Sequence, residues 1–439
     1  MKKVSVFVRD IIATMFIVVD LFCGAGGTTT GFAMTNGLAK VIACVNHDKN
    51  AIKSHWLNNP EVKHFEEDIR TLDLTELINL VNHYRAIYKK AKVILWASLE
   101  CTNFSKAKGG LPRDADSRTL ADSLIRYIVD LNPDIIQIEN VVEFMAWGPL
   151  DENGKPVSRR NGTEWMRWRK EISELGYFDE WRELNSADFG AYTSRNRLFG
   201  IFTKKLEWIS WPEPTHCKNP SNGLMFEPLE KWKPVKDVLD FNDIGKSIFN
   251  RKKPVVDKTL NVIEKGLVKA IKTGESAFLI KYNGKSGLNS IVEPAGVITT
   301  KDRFALILRQ YKTGYTSSIE QPIGSLPTVP KANIVSFIMN KSHGGHTTSV
   351  NSPSPVIVAS QHKSPLYIIQ TLMNENGIED ITMRMLKVSE LLLIQGFDKD
   401  YRLVGTQADQ KKFIGNSVVP IVVKAWTESL RGNIEKLAA

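Results

Sequence analysis

The chain has 439 residues, enough for two or three domains around a sizeable core. Charged residues make up 24% and hydrophobic residues 42%, which excludes disordered and fibrous classes. The net charge is +10, and 17 Lys+Arg against 8 Asp+Glu fall between Phe241 and Ile378, so one segment carries nearly all of the excess. Such a segment suits a polyanion, although a solvated basic surface reads the same way.

The N-terminal stretch "MKKVSVFVRDIIATMFIVVDLFCGAGG" starts basic and turns apolar, like a secretory signal. Arg9 and Asp10 interrupt it, and Ile11–Val19 is too short to span a bilayer, so it reads as a lead-in and a buried strand. The four cysteines, Cys23, Cys44, Cys101 and Cys217, form no CxxC pair. Neither a metal site nor a disulfide framework is indicated, and a reducing, cytoplasmic compartment fits best.

Strands and helices alternate through the first half. Strands are expected at 15–22, 41–46, 92–98 and 134–140, and helices from about 49, over 75–90 and over 117–131. Apolar strands between helices imply an α/β fold with a doubly wound, mostly parallel sheet, whose ligands bind beyond the carboxyl ends of the strands. The loops of interest are therefore 23–27, 46–48, 98–110 and 139–143. From about Pro212 short β-branched runs take over. "SIVEP", "SIEQP" and "SVNSP" recur with prolines 28 and 31 residues apart, each followed by two short strands around a polar turn. These read as three hairpin units of a smaller, β-rich domain. Helical sequence returns from about Ile381. The expected organisation is a catalytic and cofactor-binding domain at 1–240, a β-rich domain at 241–378 and a C-terminal return at 379–439.

Four stretches carry chemistry. "DLFCGAGGTTTGF" (20–32) is a strand, a glycine turn and a helix, which suits a dinucleotide, a phosphate or S-adenosylmethionine, or is simply a tight turn. Cys101 sits in the polar, glycine-ended loop "SLECTNFSKAKGG", a setting that favours an accessible thiol over a packing residue. Glu139, in "IENV", ends an apolar strand as either a cap or an acid/base group. Arg195 and Arg197, in "TSRNR", are expected to alternate along a strand and face one way, as solvated residues or as an anion clamp.

Together with "RMLKVSELLLIQGF" (384–397) and "IGNSVVPIV" (414–422), these motifs in this order resemble the DNA (cytosine-5) methyltransferase family of bacterial and phage type. The resemblance covers about residues 15–212 and 381–430. It implies a Rossmann-like fold and the cofactor S-adenosyl-L-methionine. It further implies methylation of a flipped cytosine at C5 in double-stranded DNA, with Cys101 as nucleophile and Glu139, Arg195 and Arg197 around the base. Asp20, Phe22, Gly24, Gly26, Asn46, His47, Asp68, Ile69, Asn416 and Ser417 fall on its cofactor positions. The basic segment becomes the target recognition domain, with Ser105, Lys301, Arg303, Lys312, Lys341 and Lys363 as DNA contacts. By family habit the protein is a cytoplasmic monomer of a bacterial or phage-infected cell, acting alone or beside a separate restriction endonuclease.

The chain departs from the family at four places. Glu100 replaces a proline next to the nucleophile, where a carboxylate disfavours the thiolate. Thr102 and Thr193 each replace a glutamine. Asn46 stands where an acid holds the ribose hydroxyls, with Asp48 as a candidate substitute. An RNA cytosine-5 methyltransferase and a catalytically silent or altered-substrate DNA-binding protein of the same fold are the alternatives.

Overall fold

The computed structural model describes residues 15–99, 120–149, 161–220, 228–243 and 377–438, with shorter stretches between them. The chain divides into two compact units. The first comprises residues 1–189, 196–215 and 396–439, and the second 190–195 and 216–395.

The first unit is built on a seven-stranded sheet. Its strands are β1 (Phe16–Leu21), β2 (Ala39–Val45), β3 (Lys63–Phe65), β4 (Lys92–Ser98), β5 (Ile135–Asn140), β6 (Phe178–Asn185) and β7 (Asn196–Thr203). Their order is β3-β2-β1-β4-β5-β7-β6. The first five run parallel, and β7 runs antiparallel to both β5 and β6. The chain winds outward from β1 through β2 to β3, then returns to place β4 on the other side of β1. The carboxyl ends of β1 and β4 therefore flank the point where the winding reverses, the usual ligand position in open α/β sheets.

Helices cover both faces. On one lie α3 (Thr75–Ile87), α4 (Leu124–Leu131) and α5 (Thr163–Glu174). Their buried Leu77, Val81, Leu124, Ile128, Leu131, Trp168 and Ile172 join Ile17, Val19 and Leu21 of β1 in one apolar cluster. The other face takes α1 (Gly27–Ala33), α2 (Lys49–Asn58) and α8 (Pro420–Ala438). Here Trp426 of α8 meets Trp96 edge-on at 5.9 Å and Phe199 at 5.6 Å, and stacks on Trp211 at 4.9 Å. Local sequence fixes the helix ends. Asp48 caps α2 by accepting from the backbone of Asn50 and Ala51 at 3.0 and 3.2 Å. Thr406 and Asp409 form a reciprocal capping box at the start of α7 (Gln407–Asn416).

The second unit is β-rich. It holds the two-residue strands β8 (His216–Cys217), β9 (Glu230–Lys231) and β10 (Lys246–Ser247), then β11 (Ala277–Lys281), β12 (Leu306–Gln310), β13 (Asn333–Asn340), β14 (His346–Thr348), β15 (Leu366–Asn374) and β16 (Gly377–Met385). A short helix, α6 (Val388–Gln395), follows. The last strands of the three expected hairpin units fall on β12, β13 and β15, which pair with one another. The repeated Ser-…-Pro stretches lie outside the described residues.

Candidate active site

The turn after β1 bends sharply. Phe22 (φ 58°), Gly24 (φ 53°) and Gly26 (φ 105°) all sit in the left-handed region. A phenylalanine there is unusual, and such backbone persists where the surroundings hold it. The Tyr401 hydroxyl donates to the carbonyl of Ala25 and clamps the turn. A Cβ on Gly26 would collide with that hydroxyl and lie 3.1 Å from His55 Cδ2, whereas one on Gly24 meets nothing within 4 Å. The turn is therefore closed on one side by Gly26 and open at Gly24, where a ligand can approach the backbone. Gly26→Ala is expected to cost about 1–3 kcal/mol from φ strain, read as a lower urea midpoint.

The C-terminal return reaches the same place. A Cβ on Gly27 would stand 2.5 Å from the carbonyl of Val418 and 3.0 Å from Ser417 Cβ. Ser417 itself is buried and donates to the Phe413 carbonyl at 2.7 Å, while Asn416 is exposed. At the end of β2, the Asn46 side-chain oxygen accepts from the Asp48 backbone at 2.8 Å. The Asp48 carboxylate caps α2 and pairs with Lys412 at 2.9 Å; against the desolvation that would raise it, these contacts hold it below the usual carboxylate range. Asp68 is held low by Arg70, which grips it at 2.6 Å, with His47 adding a smaller effect. His47 is exposed, and Ile69 is buried with its carbonyl accepting from Tyr127. Asp20 is wholly buried. Desolvation pushes its carboxyl up to about 8, partly offset by a 3.0 Å hydrogen bond from Thr29.

The second group gathers at the ends of β4 and β5. The register sets Ser98 beside Glu139. Glu139 is 5% exposed, and its Oε1 lies 3.4 Å from Arg197 Nε. The chain leaving β4 toward Cys101 thus starts next to the buried Glu139, paired with the partly buried Arg197. The expected strand alternation of Arg195 and Arg197 is corrected: β7 begins at Asn196, so Arg197 lies on the strand, and Arg195 precedes it as a buried residue counted with the second unit. Glu100, Cys101, Thr102, Ser105, Lys301, Arg303, Lys312, Lys341 and Lys363 lie outside the described residues.

A family model for C-5 cytosine-specific DNA methylase matches residues 16–432. The chain belongs to the DNA (cytosine-5) methyltransferase family. Among relatives of this methyltransferase, it is 22% identical to the type II methyltransferase M1.HphI of Haemophilus parahaemolyticus, over 94% of this chain and 86% of that one. It is 24% identical to the putative type II methyltransferase M.OihORF3336P of Oceanobacillus iheyensis, over 95% and 96%. A crystal structure of Spodoptera frugiperda DNMT2 shares the fold with a TM-score of 0.50 at 15% identity, covering 95% of this chain and 99% of that one.

One motif of this methyltransferase turns out to organise the second unit. Arg384 grips Glu390 through two bonds of 2.9 and 2.8 Å, both residues being buried, and donates to the Asp240 and Asp243 carbonyls. Sequence reasoning missed Tyr401 and Lys412, which hold the turn and the cap from far along the chain. Neither carries a local pattern that marks it.

Proposed function

We propose that this chain transfers a methyl group from S-adenosyl-L-methionine to C5 of a flipped cytosine in a specific double-stranded DNA sequence, through a covalent bond from Cys101. The observation that carries this reading is the buried Glu139, paired with the partly buried Arg197 and set beside Ser98, three residues before Cys101. The turn after β1 fits the cofactor, since Gly24 leaves open space in front of backbone held at positive φ. Phe22, Gly24, Asn46 and Asp68 would hold it.

The cofactor, when bound, supplies an electrophilic sulfonium methyl. Cytosine C5 is a poor nucleophile until C6 is attacked. The Cys101 thiol gives its proton to solvent, and the thiolate adds to C6. Glu139 supports protonation at N3, so the electrons of the opened C5–C6 bond become available at C5. C5 would take the methyl as the donor sulfur leaves as a neutral thioether; a base then removes the C5 proton, N3 gives its proton back, and Cys101 leaves as thiolate while the C5–C6 double bond reforms. Arg197 holds the Glu139 carboxyl in place. Extrusion of the base costs a few kcal/mol, recovered in pocket and groove contacts. The second unit, with the basic 241–378 segment, is the target recognition domain, and Lys301, Arg303, Lys312, Lys341 and Lys363 make its binding salt-dependent. By analogy with type II relatives, the partner system is a separately acting restriction endonuclease.

Glu139→Gln is expected to lower methyl transfer by roughly 10²–10⁴-fold with DNA affinity retained, since the acid/base group at N3 is lost and not a binding surface. Single-turnover rates and gel-shift affinities check it. The covalent step itself is tested with duplex DNA carrying 5-fluorocytosine and S-adenosylmethionine. A denaturation-resistant adduct mapping to Cys101 and carrying the methyl supports the reading. Salt-sensitive binding without an adduct overturns it in favour of a silent binder.

A further inference from the structure

The segment between α6 and α7 is laid along α2 and reaches the turn after β1. The Arg402 N–H donates to Asn58 Oδ1 at 3.0 Å, and Asn58 Nδ2 returns a 2.8 Å bond to the Arg402 carbonyl. The Arg402 guanidinium donates to the Leu57 carbonyl at 2.6 Å, and the Val404 N–H donates to Ser54 Oγ at 3.0 Å. Tyr401 stands one residue before this seam, with its ring against Phe397 at 4.6 Å. These contacts place Tyr401 independently of the turn that its hydroxyl meets.

The turn has a bonding pattern of its own, and Tyr401 completes it. The Cys23 N–H is tied to the Val45 carbonyl at the end of β2, at 3.2 Å. The Gly26 carbonyl accepts from the N–H and the hydroxyl of Thr30 at 2.9 and 2.7 Å, in the first turn of α1. The peptide joining Ala25 to Gly26 is held at both ends. Its N–H donates to the Cys23 carbonyl at 3.0 Å, and its carbonyl accepts from the Tyr401 hydroxyl. The N–H groups of Gly24 and Ala25, by contrast, have no partner among the described residues. Successive free N–H groups in left-handed backbone make a concavity for an acceptor group, and Gly24 has open space in front of it. The pinned peptide is the next one along the chain. A glycine on its far side resists rotation poorly, so the hydroxyl supplies a restraint that the turn lacks.

We infer that Tyr401 is a positioning residue of the methyl-donor site, holding the turn after β1 in its ligand-ready form from far along the chain. The inference rests on the reading that this turn binds S-adenosyl-L-methionine. Tyr401 acts through the Ala25 carbonyl, by preorganisation: a turn already held in place does not have to be ordered when the ligand binds. The role belongs to the hydroxyl, because a phenylalanine keeps the ring against Phe397 and loses only the bond to Ala25.

Calorimetric titration of the full chain with S-adenosylhomocysteine tests this. Tyr401→Phe is expected to weaken binding about tenfold, the worth of one hydrogen bond, at a temperature where far-UV circular dichroism shows it folded. On random-sequence duplex DNA the KM for S-adenosylmethionine is expected to rise by a similar factor, with turnover at saturating cofactor lowered less than about threefold. A tyrosine with a structural role alone would lower the urea midpoint and leave both constants unchanged. Asn58→Ala removes two bonds to Arg402 and keeps Tyr401 itself. It is expected to weaken binding about threefold, and it carries the test if Tyr401→Phe does not fold. Binding within about twofold of the unaltered chain, in folded Tyr401→Phe or in the Asn58→Ala that stands in for it, overturns this inference alone. Failure of the unaltered chain to bind S-adenosylhomocysteine or S-adenosylmethionine overturns the cofactor reading, and this inference with it.

Discussion

Cys101→Ser is expected to abolish methyl transfer, by on the order of 10³-fold or more, while leaving duplex DNA binding within a few-fold. The serine keeps the size of the side chain but not its chemistry. A thiol yields an appreciable thiolate fraction near neutral pH and a polarisable nucleophile, whereas an unassisted hydroxyl does neither. The 5-fluorocytosine adduct is expected to vanish with it. Glu100 adds a second expectation at the same loop. A carboxylate beside the thiol disfavours its ionisation, so Glu100→Gln is expected to shift the alkaline rise of the single-turnover rate to lower pH. Retention of wild-type turnover in Cys101→Ser sinks the covalent mechanism.

Trp426→Ala is expected to destabilise the first unit by about 3–5 kcal/mol, the cost of a large ring removed from a closed core. Trp426 is fully buried, its ring touches Trp96, Phe199 and Trp211, and its Nε1 donates to the Ser210 carbonyl at 2.8 Å. Removal leaves a cavity and an unpaired carbonyl together. Trp56, at 52% exposure, is the control, with Trp56→Ala expected to stay within about 0.5 kcal/mol. Urea denaturation followed by far-UV circular dichroism separates the two. Equal midpoints would mean that α8 does not close the core.

Local pattern revealed the parallel half of the first sheet well. β4 covers 92–98 as expected from its apolar run, and β1 and β5 differ from expectation only at their ends. Of the expected helix over 117–131, Leu124–Leu131 is helical and 120–123 is a turn, while 117–119 lie outside the described residues. Asp48 shows what motif reading leaves out: its carboxylate also serves a helix end and a lysine 364 residues away in the chain. Pairs such as Tyr401 with Ala25 depend on tertiary return of the chain, which no window of sequence contains. Glu139 was legible as a candidate from its strand-end position, but its pairing with Arg197 required the antiparallel β7 to lie beside β5.

The first unit is assembled from both ends of the chain, with residues 216–395 intervening before α8 arrives. On a ribosome adding roughly 5–20 residues per second, the sheet emerges well before the helix that covers Trp96 and meets Gly31. For some ten seconds or more the nascent sheet has one face unsealed. The turn after β1 and its Ser417–Val418 neighbour cannot meet until the chain has been made past residue 418. Products that stop before residue 417 therefore lack one wall of the turn after β1.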